Sequence, residues 1–284
     1  FNLLSFVLAV AVIAGIVELF ARAFNLPEIG RWAPGRKKWW LFGALILLAT
    51  IIPVFPLLFF YGLDQPIQHM DPAFHMNAVY LVEQTEAASS FHDLTRMWGL
   101  NTTPTTIPAG WHAFVSLFAT KQTIIQATNA MFLLNSTVWA LGVATLTLVA
   151  FPGRDWAPFI ALTVSTLVVE YPTYMHSAYP VLPNATTLAI LPGLLAWAYA
   201  TVFRRFRQGH WDRERKAVVG SVLAVIVVVL GAMLTHPVIA LNMFVLMFLP
   251  LVFGWFNKLR HLVQNKQWKY FWLQIAIAVS IVLI

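Results

Sequence analysis

The sequence predicts an all-α integral membrane protein that crosses the bilayer about eight times and carries one long loop on the non-cytoplasmic side. Three observations predict this. First, hydrophobic residues make up 60% of the 284-residue chain and charged residues only 10%. A water-soluble domain carries about a quarter charged residues to solvate its surface. Second, apolar runs of the length that spans hydrocarbon as helix, roughly 20 residues, recur along the chain. Third, the cations fall in alternate loops between those runs.

In chain order the predicted spans are Phe1–Phe20, Trp39–Tyr61, Ile124–Phe151, Trp156–Tyr171, Pro183–Phe203, Ala217–Leu234, Val238–Phe256 and Tyr270–Ile284. Several begin or end on Trp or Tyr, whose rings favour the headgroup boundary. Pro183 opens its helix, where a missing N–H costs nothing. Pro53, Pro56, Pro192 and Pro250 lie inside runs and predict kinks. The chain begins at Phe1 rather than Met and stops inside an apolar run at Ile284. It reads as one transmembrane domain over 1–284, a segment of a longer protein.

Orientation follows from Lys and Arg. Five lie in loop 21–38, six in 204–216, four in 257–269, and Arg154 lies in the turn between spans. Sixteen of eighteen thus sit in alternate loops, and the positive-inside bias makes those loops cytoplasmic. Only Arg96 and Lys121 remain outside. The net charge of +7 is explained by these loops, so nucleic acid is not an expected partner. Trp111–Phe118 is apolar but too short to cross, so 105–120 is expected to lie at, or dip into, the outer surface.

Loop 62–123 and the turns 171–182 and 235–237 form the outer face. They collect six of the eight histidines and five of the eleven acids, and Glu170 at the adjoining helix end is the sixth acid on this side. There is no cysteine, which excludes a disulfide framework, a thiolate metal site and a cysteine nucleophile. The densest cluster is His69-Met-Asp71-Pro-Ala-Phe-His75. Asp followed by Pro reads as an N-cap with proline at the first helical position, so a polar surface helix is expected from Asp71 to about Ala88. Asp71 and His75, four apart, face the same way.

Asp71 either caps this helix or carries chemistry, and the two roles can coincide. His69, Asp71 and His75 together could hold a divalent metal. Imidazoles suit zinc and a carboxylate with waters suits magnesium or manganese, although the spacing matches no zinc signature. His112, in the Pro108-Ala-Gly110-Trp111-His112 stretch, is either solvated at headgroup level or part of a binding site. The same choice, between reaching to the interface and function, applies to Glu170, His176 and His236 at helix ends. Asn129 and Asn135 are expected to bond between helices.

A membrane helix that exits into a long outer loop, an acidic residue soon after the exit, a surface helix (Asp71-Pro-Ala-Phe-His75-Met-Asn) and a Pro-x-Gly-Trp-His stretch leading to a span together resemble the GT-C superfamily of polytopic glycosyltransferases. The likeness is nearest to an uncharacterised group of large actinobacterial membrane proteins with that organisation. It implies a GT-C-like fold in the cell membrane with its site on the non-cytoplasmic face. It also implies a polyprenyl-phosphate-linked sugar as donor, and a glycan or glycolipid of the cell envelope as acceptor. The first-loop acid of such enzymes is the catalytic base or helps bind a metal, a role that falls here on Asp71. Arg96, His75, His112, His176 and His236 are the expected substrate-binding residues. The phosphate needs positive charge, from Arg96, Lys121 or a divalent metal, while Arg96 could instead pair with Asp93 or Glu86. The rival readings are a non-catalytic envelope-assembly partner and a transporter subunit.

Overall fold

A computed structural model describes residues 35–91, 107–177, 180–200 and 215–283, together with the isolated Leu19, Leu94 and Met97. The first predicted span, most of loop 21–38, the residues His92, Asp93 and Arg96, and the basic stretch 204–214 lie outside the described residues. Among the described residues every regular element is helical.

The elements are α1 (Arg36–Phe60), α2 (Met70–Thr85), α3 (Gly110–Ser116), α4 (Ile124–Ala150), α5 (Ala157–Leu167), α6 (Leu182–Ala198), α7 (Arg215–Met233), α8 (Val238–Gln264) and α9 (Trp268–Leu283). Two stretches, Lys37–Phe60 and Ile124–Ala150, are long and apolar enough to cross a membrane, and Leu182–Ala198, Leu223–Met233 and Val238–Met247 are shorter apolar helices. Helices α1, α4, α6, α7, α8 and α9 cover six of the predicted apolar runs, and among the described residues only α1 and α4 hold an apolar stretch of spanning length. α8 runs further than expected, through Lys258 and Arg260 to Gln264, and leaves only 265–267 as a turn.

The span expected over Trp156–Tyr171 is corrected. α5 stops at Leu167, where Val168 turns extended (φ −75°, ψ 113°). A kinked segment, Val169–Tyr174, and a single α-turn, Met175–Ser177, follow. The cause is in the sequence: Pro172 has no N–H to give a continuing helix, and Tyr171 before it adopts the extended backbone that a following proline favours (φ −141°, ψ 135°).

α1 and α4 pack antiparallel, with the Thr50 and Thr137 hydroxyls 3.1 Å apart. α1 and α5 run parallel: Lys38 pairs with Asp155 at 3.1 Å and Phe42 meets Phe159 edge-on. At that register the end of α5 at Leu167 comes level with Thr50, while α1 continues to Phe60. The space above the short α5 is filled by the broken segment 168–177, and the start of α6 packs beside it.

α4 and α6 also run parallel and approach closely at Gly142 and Gly193. A Cβ on Gly142 would lie 2.9 Å from the Gly193 nitrogen, so this crossing requires glycine. The same register sets Leu182, at the start of α6, level with Met131, and the two share one buried cluster with Trp111, Val79 and Leu57. The polar helix α2 and the short apolar helix α3 lie over this end of the bundle.

Candidate functional site

The site begins with the first turn of α2. His69, not Asp71, is the N-cap: its backbone is extended (φ −145°, ψ 152°) and its Nδ1 accepts the Asp71 N–H at 3.3 Å. The helix thus starts at Met70 and ends at Thr85, where Glu86 adopts a left-handed conformation (φ 53°). The expectation that Asp71 caps the helix is corrected, because His69 already satisfies that turn and leaves the Asp71 carboxylate free to act elsewhere.

Its two oxygens reach in different directions. Oδ1 lies 3.4 Å from His75 Nε2, one turn along α2. Oδ2 accepts the Leu182 N–H at 3.2 Å. Leu182 is the first residue of α6, so Asp71 sits at a helix N-terminus, where unpaired N–H groups and the helix dipole favour an anion. His75 Nδ1 is in turn 2.8 Å from His112 Nε2. Three side chains form one line: Asp71, His75, His112. Exposure falls along it, from a third of the Asp71 side chain to 13% of His75 and 1% of His112.

α3 is held by contacts that its sequence does not advertise. The Trp111 indole N–H donates to the Thr186 hydroxyl at 3.0 Å, and its ring stands edge-on to His75 at 5.6 Å. Trp111 is therefore buried in the protein. His112, read as solvated in one alternative, is buried beside it. Gly110 donates its N–H to the Leu234 carbonyl at 2.8 Å, and a Cβ there would meet that same oxygen at 2.8 Å. Only glycine lets the two backbones approach so closely. This contact docks the turn after α7 onto α3 and brings His236 toward the site. His236 Nδ1 accepts the Val238 N–H at 3.4 Å.

Electrostatics follow the burial. Burial alone would raise the Asp71 pKa; the His75 hydrogen bond and charge, the Leu182 N–H and the His69 charge outweigh it, and the carboxyl titrates below its ordinary value. His112 is pushed down to about 3, first by burial and then by His75, with the Pro108 carbonyl and the Asp71 charge opposing. His236 is also lowered, by burial first and by the His75 charge, and raised in part by Asp71. A neutral His112 that donates from Nε2 makes His75 accept at Nδ1 and donate from Nε2 to Asp71. That leaves His112 Nδ1 buried with no hydrogen-bond partner in good geometry.

The structure thus brings Asp71, His75 and His112 together and sets His236 within electrostatic reach. His176 is elsewhere: it is fully buried in the broken segment, 3.3 Å from Ser136 Oγ. Arg96 lies outside the described residues, as does the side chain of Glu170. His69 turns its Nδ1 to the Asp71 backbone, and among the described residues no three metal-binding side chains converge. Asn129 joins a helix to a loop rather than to another helix, since its amide donates to the Leu63 and Gln65 carbonyls at 3.1 and 2.9 Å.

Asp71 and His75 were readable as a pair from their spacing. The Leu182 N–H, the Thr186 hydroxyl and the Leu234 carbonyl were not, because backbone groups and a threonine in apolar helices carry no pattern. Gly110 was the one available signal of a close approach.

Residues 1–284 match the model of a family described as a family of unknown function, DUF6541. No curated protein and no solved structure matches the chain.

Proposed function

We propose that this chain, which belongs to the DUF6541 family, is a multi-pass membrane glycosyltransferase. Its donor is a polyprenyl-phosphate-linked sugar, used at the non-cytoplasmic face to build a cell-envelope glycan or glycolipid. The observation that carries the proposal is the Asp71–His75–His112 line, whose only partly exposed carboxylate is kept ionised and fixed at both oxygens.

Membrane insertion is supported by α1. Only 22% of its most apolar window is buried inside the protein, and Leu47, Phe55 and Phe59 are exposed. The core helix of a soluble protein would bury that face. Lipid is the solvent that such a surface fits.

In the proposed reaction the acceptor oxygen forms a bond to the anomeric carbon, and the bond from that carbon to the phosphate oxygen breaks. The phosphate leaves with the electron pair, and the hydroxyl proton passes to a free lone pair of Asp71. The leaving phosphate is already an anion and needs little help from an acid. A carboxylate of low pKa suits the proton's fate, since the acceptor oxygen becomes acidic only as it bonds to an oxocarbenium-like carbon. His75 holds the carboxylate in line and stabilises its charge. Arg96 and Lys121 are the cations for the phosphate, with a divalent ion as the other source of positive charge.

Asp71→Asn tests this directly. Because His69 caps α2 and an asparagine oxygen can still accept the Leu182 N–H, the substitution removes charge and basicity and keeps both helix starts. Transfer of labelled sugar from a polyprenyl-phosphate donor should fall by about 10²–10⁴-fold while the protein stays folded, less stable by the modest share that the ionised carboxylate contributes. Full transfer in the Asn variant would remove Asp71 from the chemistry. A transporter subunit is the second reading, favoured by the interrupted helix at 168–177 with the buried His176 inside it. Sugar-lipid turnover with no flux into vesicles separates the two.

A further inference from the structure

No Asp or Glu follows Glu214 in the sequence. Helices α7, α8 and α9 therefore carry cations with no acid of their own, and four of these, Lys258, Arg260, Lys266 and Lys269, fall within twelve residues. Over the whole side that holds the basic loops, the sixteen cations meet only five acids: Glu18, Glu28, Asp155, Asp212 and Glu214. However those five are shared, most of the positive charge is left without a partner inside the chain.

The structure gathers the last four cations on one tight turn. α8 ends at Gln264 and α9 begins at Trp268. Between them the Gln267 N–H donates to the Leu262 carbonyl at 2.9 Å and the Lys266 N–H to the Val263 carbonyl at 3.0 Å. Leu259 and Leu262 are buried, while Arg260, Lys266 and Lys269 are exposed. On the first turns of α9, Trp268, Tyr270 and Trp272 are each more than half exposed. The start of α1 shows the opposite arrangement: Lys38 is neutralised by Asp155 at 3.1 Å and lies over the Trp156 ring at 5.2 Å.

Depth identifies the missing partner. α8 has 27 residues, about 40 Å of helix, and the hydrocarbon of a bilayer is about 30 Å thick. A helix of that length carries its end into the headgroup layer, where Trp and Tyr rings settle and phospholipids present phosphates. A soluble acidic protein or a nucleic acid would match the charge but would leave Trp268, Tyr270 and Trp272 in water.

We propose that the α8–α9 turn is a docking surface for anionic phospholipid headgroups of the cytoplasmic leaflet. Arg260, Lys266 and Lys269 meet the phosphates, the Arg260 fork taking two oxygens at once and each Lys acting as a point charge. Trp268, Tyr270 and Trp272 hold the turn at headgroup depth. The surface needs the bilayer of the reading above and none of its glycosyl chemistry.

The chain has no cysteine, so a single fluorescent donor can be placed at Gln267→Cys, on the turn, or at Gln84→Cys, between Glu83 and Glu86 on α2. The labelled full chain is reconstituted into phosphatidylcholine nanodiscs that hold a trace of acceptor lipid, either phosphatidylglycerol or phosphatidylcholine with the label on an acyl chain. From Gln267→Cys, energy transfer should show phosphatidylglycerol enriched over phosphatidylcholine; from Gln84→Cys it should show no enrichment. A cation at an anionic surface contributes about five-fold. Arg260→Gln, Lys266→Gln and Lys269→Gln should each lower the enrichment by about that factor, and the triple variant should remove most of it. Sodium chloride at about 1 M, where charges are screened beyond about 3 Å, should do the same.

Equal transfer to the two lipids from Gln267→Cys overturns the proposal, as does an enrichment that survives the triple substitution or appears equally from Gln84→Cys. Inorganic phosphate that displaces phosphatidylglycerol better than chloride of equal ionic strength would reveal a site for free phosphate and overturn it too. No transfer to either lipid from either position would mean that the chain is not in the bilayer; the membrane reading then falls, and this proposal with it.

Discussion

The two ends of the chain's described bundle are built on different principles. In the α1–α6 half, long-range polar contacts join elements that are far apart in sequence: Asp71 to Leu182, Trp111 to Thr186, His75 to His112, Asn129 to the loop after α1. In α7–α9 the core is apolar, with Ala232, Ile239 and Met243 packed on Leu191 and Ala198. The outside is apolar as well: Leu241, Phe244, Val245 and Trp272 are exposed. Where inside and outside are equally apolar, burial cannot fix one arrangement of helices against another. Directional bonds can. A site that needs atoms held within fractions of an ångström is therefore found in the first half, and the second half serves as a support that reaches it through Leu234, against Gly110, and through the nearby His236.

The largest way to break that asymmetry is at this point of contact. Gly110→Ala would drive a Cβ into the Leu234 carbonyl, backbone that cannot rotate away. Crowding of this kind costs about 1–3 kcal/mol. Loss of thermal stability together with loss of activity would show that α7 and its turn hold α3 in place; unchanged behaviour would show that they do not.

Acid is the next lever. His112 is buried with a pKa near 3 against an ordinary 6.5, so the unfolded chain takes up a proton that the folded chain refuses. Stability is whole above about pH 6.5 and falls as the pH drops toward 3, by up to about 1.4 kcal/mol per pH unit. His236, also lowered, adds in the same direction. Asp71, lowered from 3.8, contributes stability that is present above that value and lost only below it. Thermal unfolding of the detergent-solubilised protein between pH 7 and 4.5 should show the decline. His112→Gln, which keeps a donor toward His75, should flatten it. An unaltered slope would place the acid sensitivity outside this line of residues.

Smaller effects sharpen the contrast. Trp111→Phe keeps the ring and removes the N–H to Thr186, at a cost of about 1 kcal/mol. Val245→Ala, on the exposed face of α8, should change stability by less than about 0.5 kcal/mol. If Val245 proves the more sensitive, α8 packs against a partner, and the second half is an interface rather than a support.

The sequence was informative wherever a local rule applies. Apolar runs and their flanking aromatics located α1, α4, α6, α7, α8 and α9, since helix length and composition are properties of the segment alone. The Asp71–His75 spacing predicted a shared face for the same reason. It misjudged α5 because the break before Pro172 is visible only as one proline, and prolines also sit inside α1 and α6 without ending them. It misassigned the cap because His69 can accept as well as Asp71 can, and local pattern does not choose between them.

What only the tertiary structure decided is which groups stand opposite one another. His112 and His236 come from segments 37 and 161 residues away from His75, and only the register in which α3 and the turn after α7 pack brings them near it. A hydrogen bond between distant residues depends on that register to within fractions of an ångström. No periodicity along one chain encodes a distance across two helices. The residues that could carry chemistry are therefore legible in the order of the amino acids, but the line they form exists only once the helices have packed.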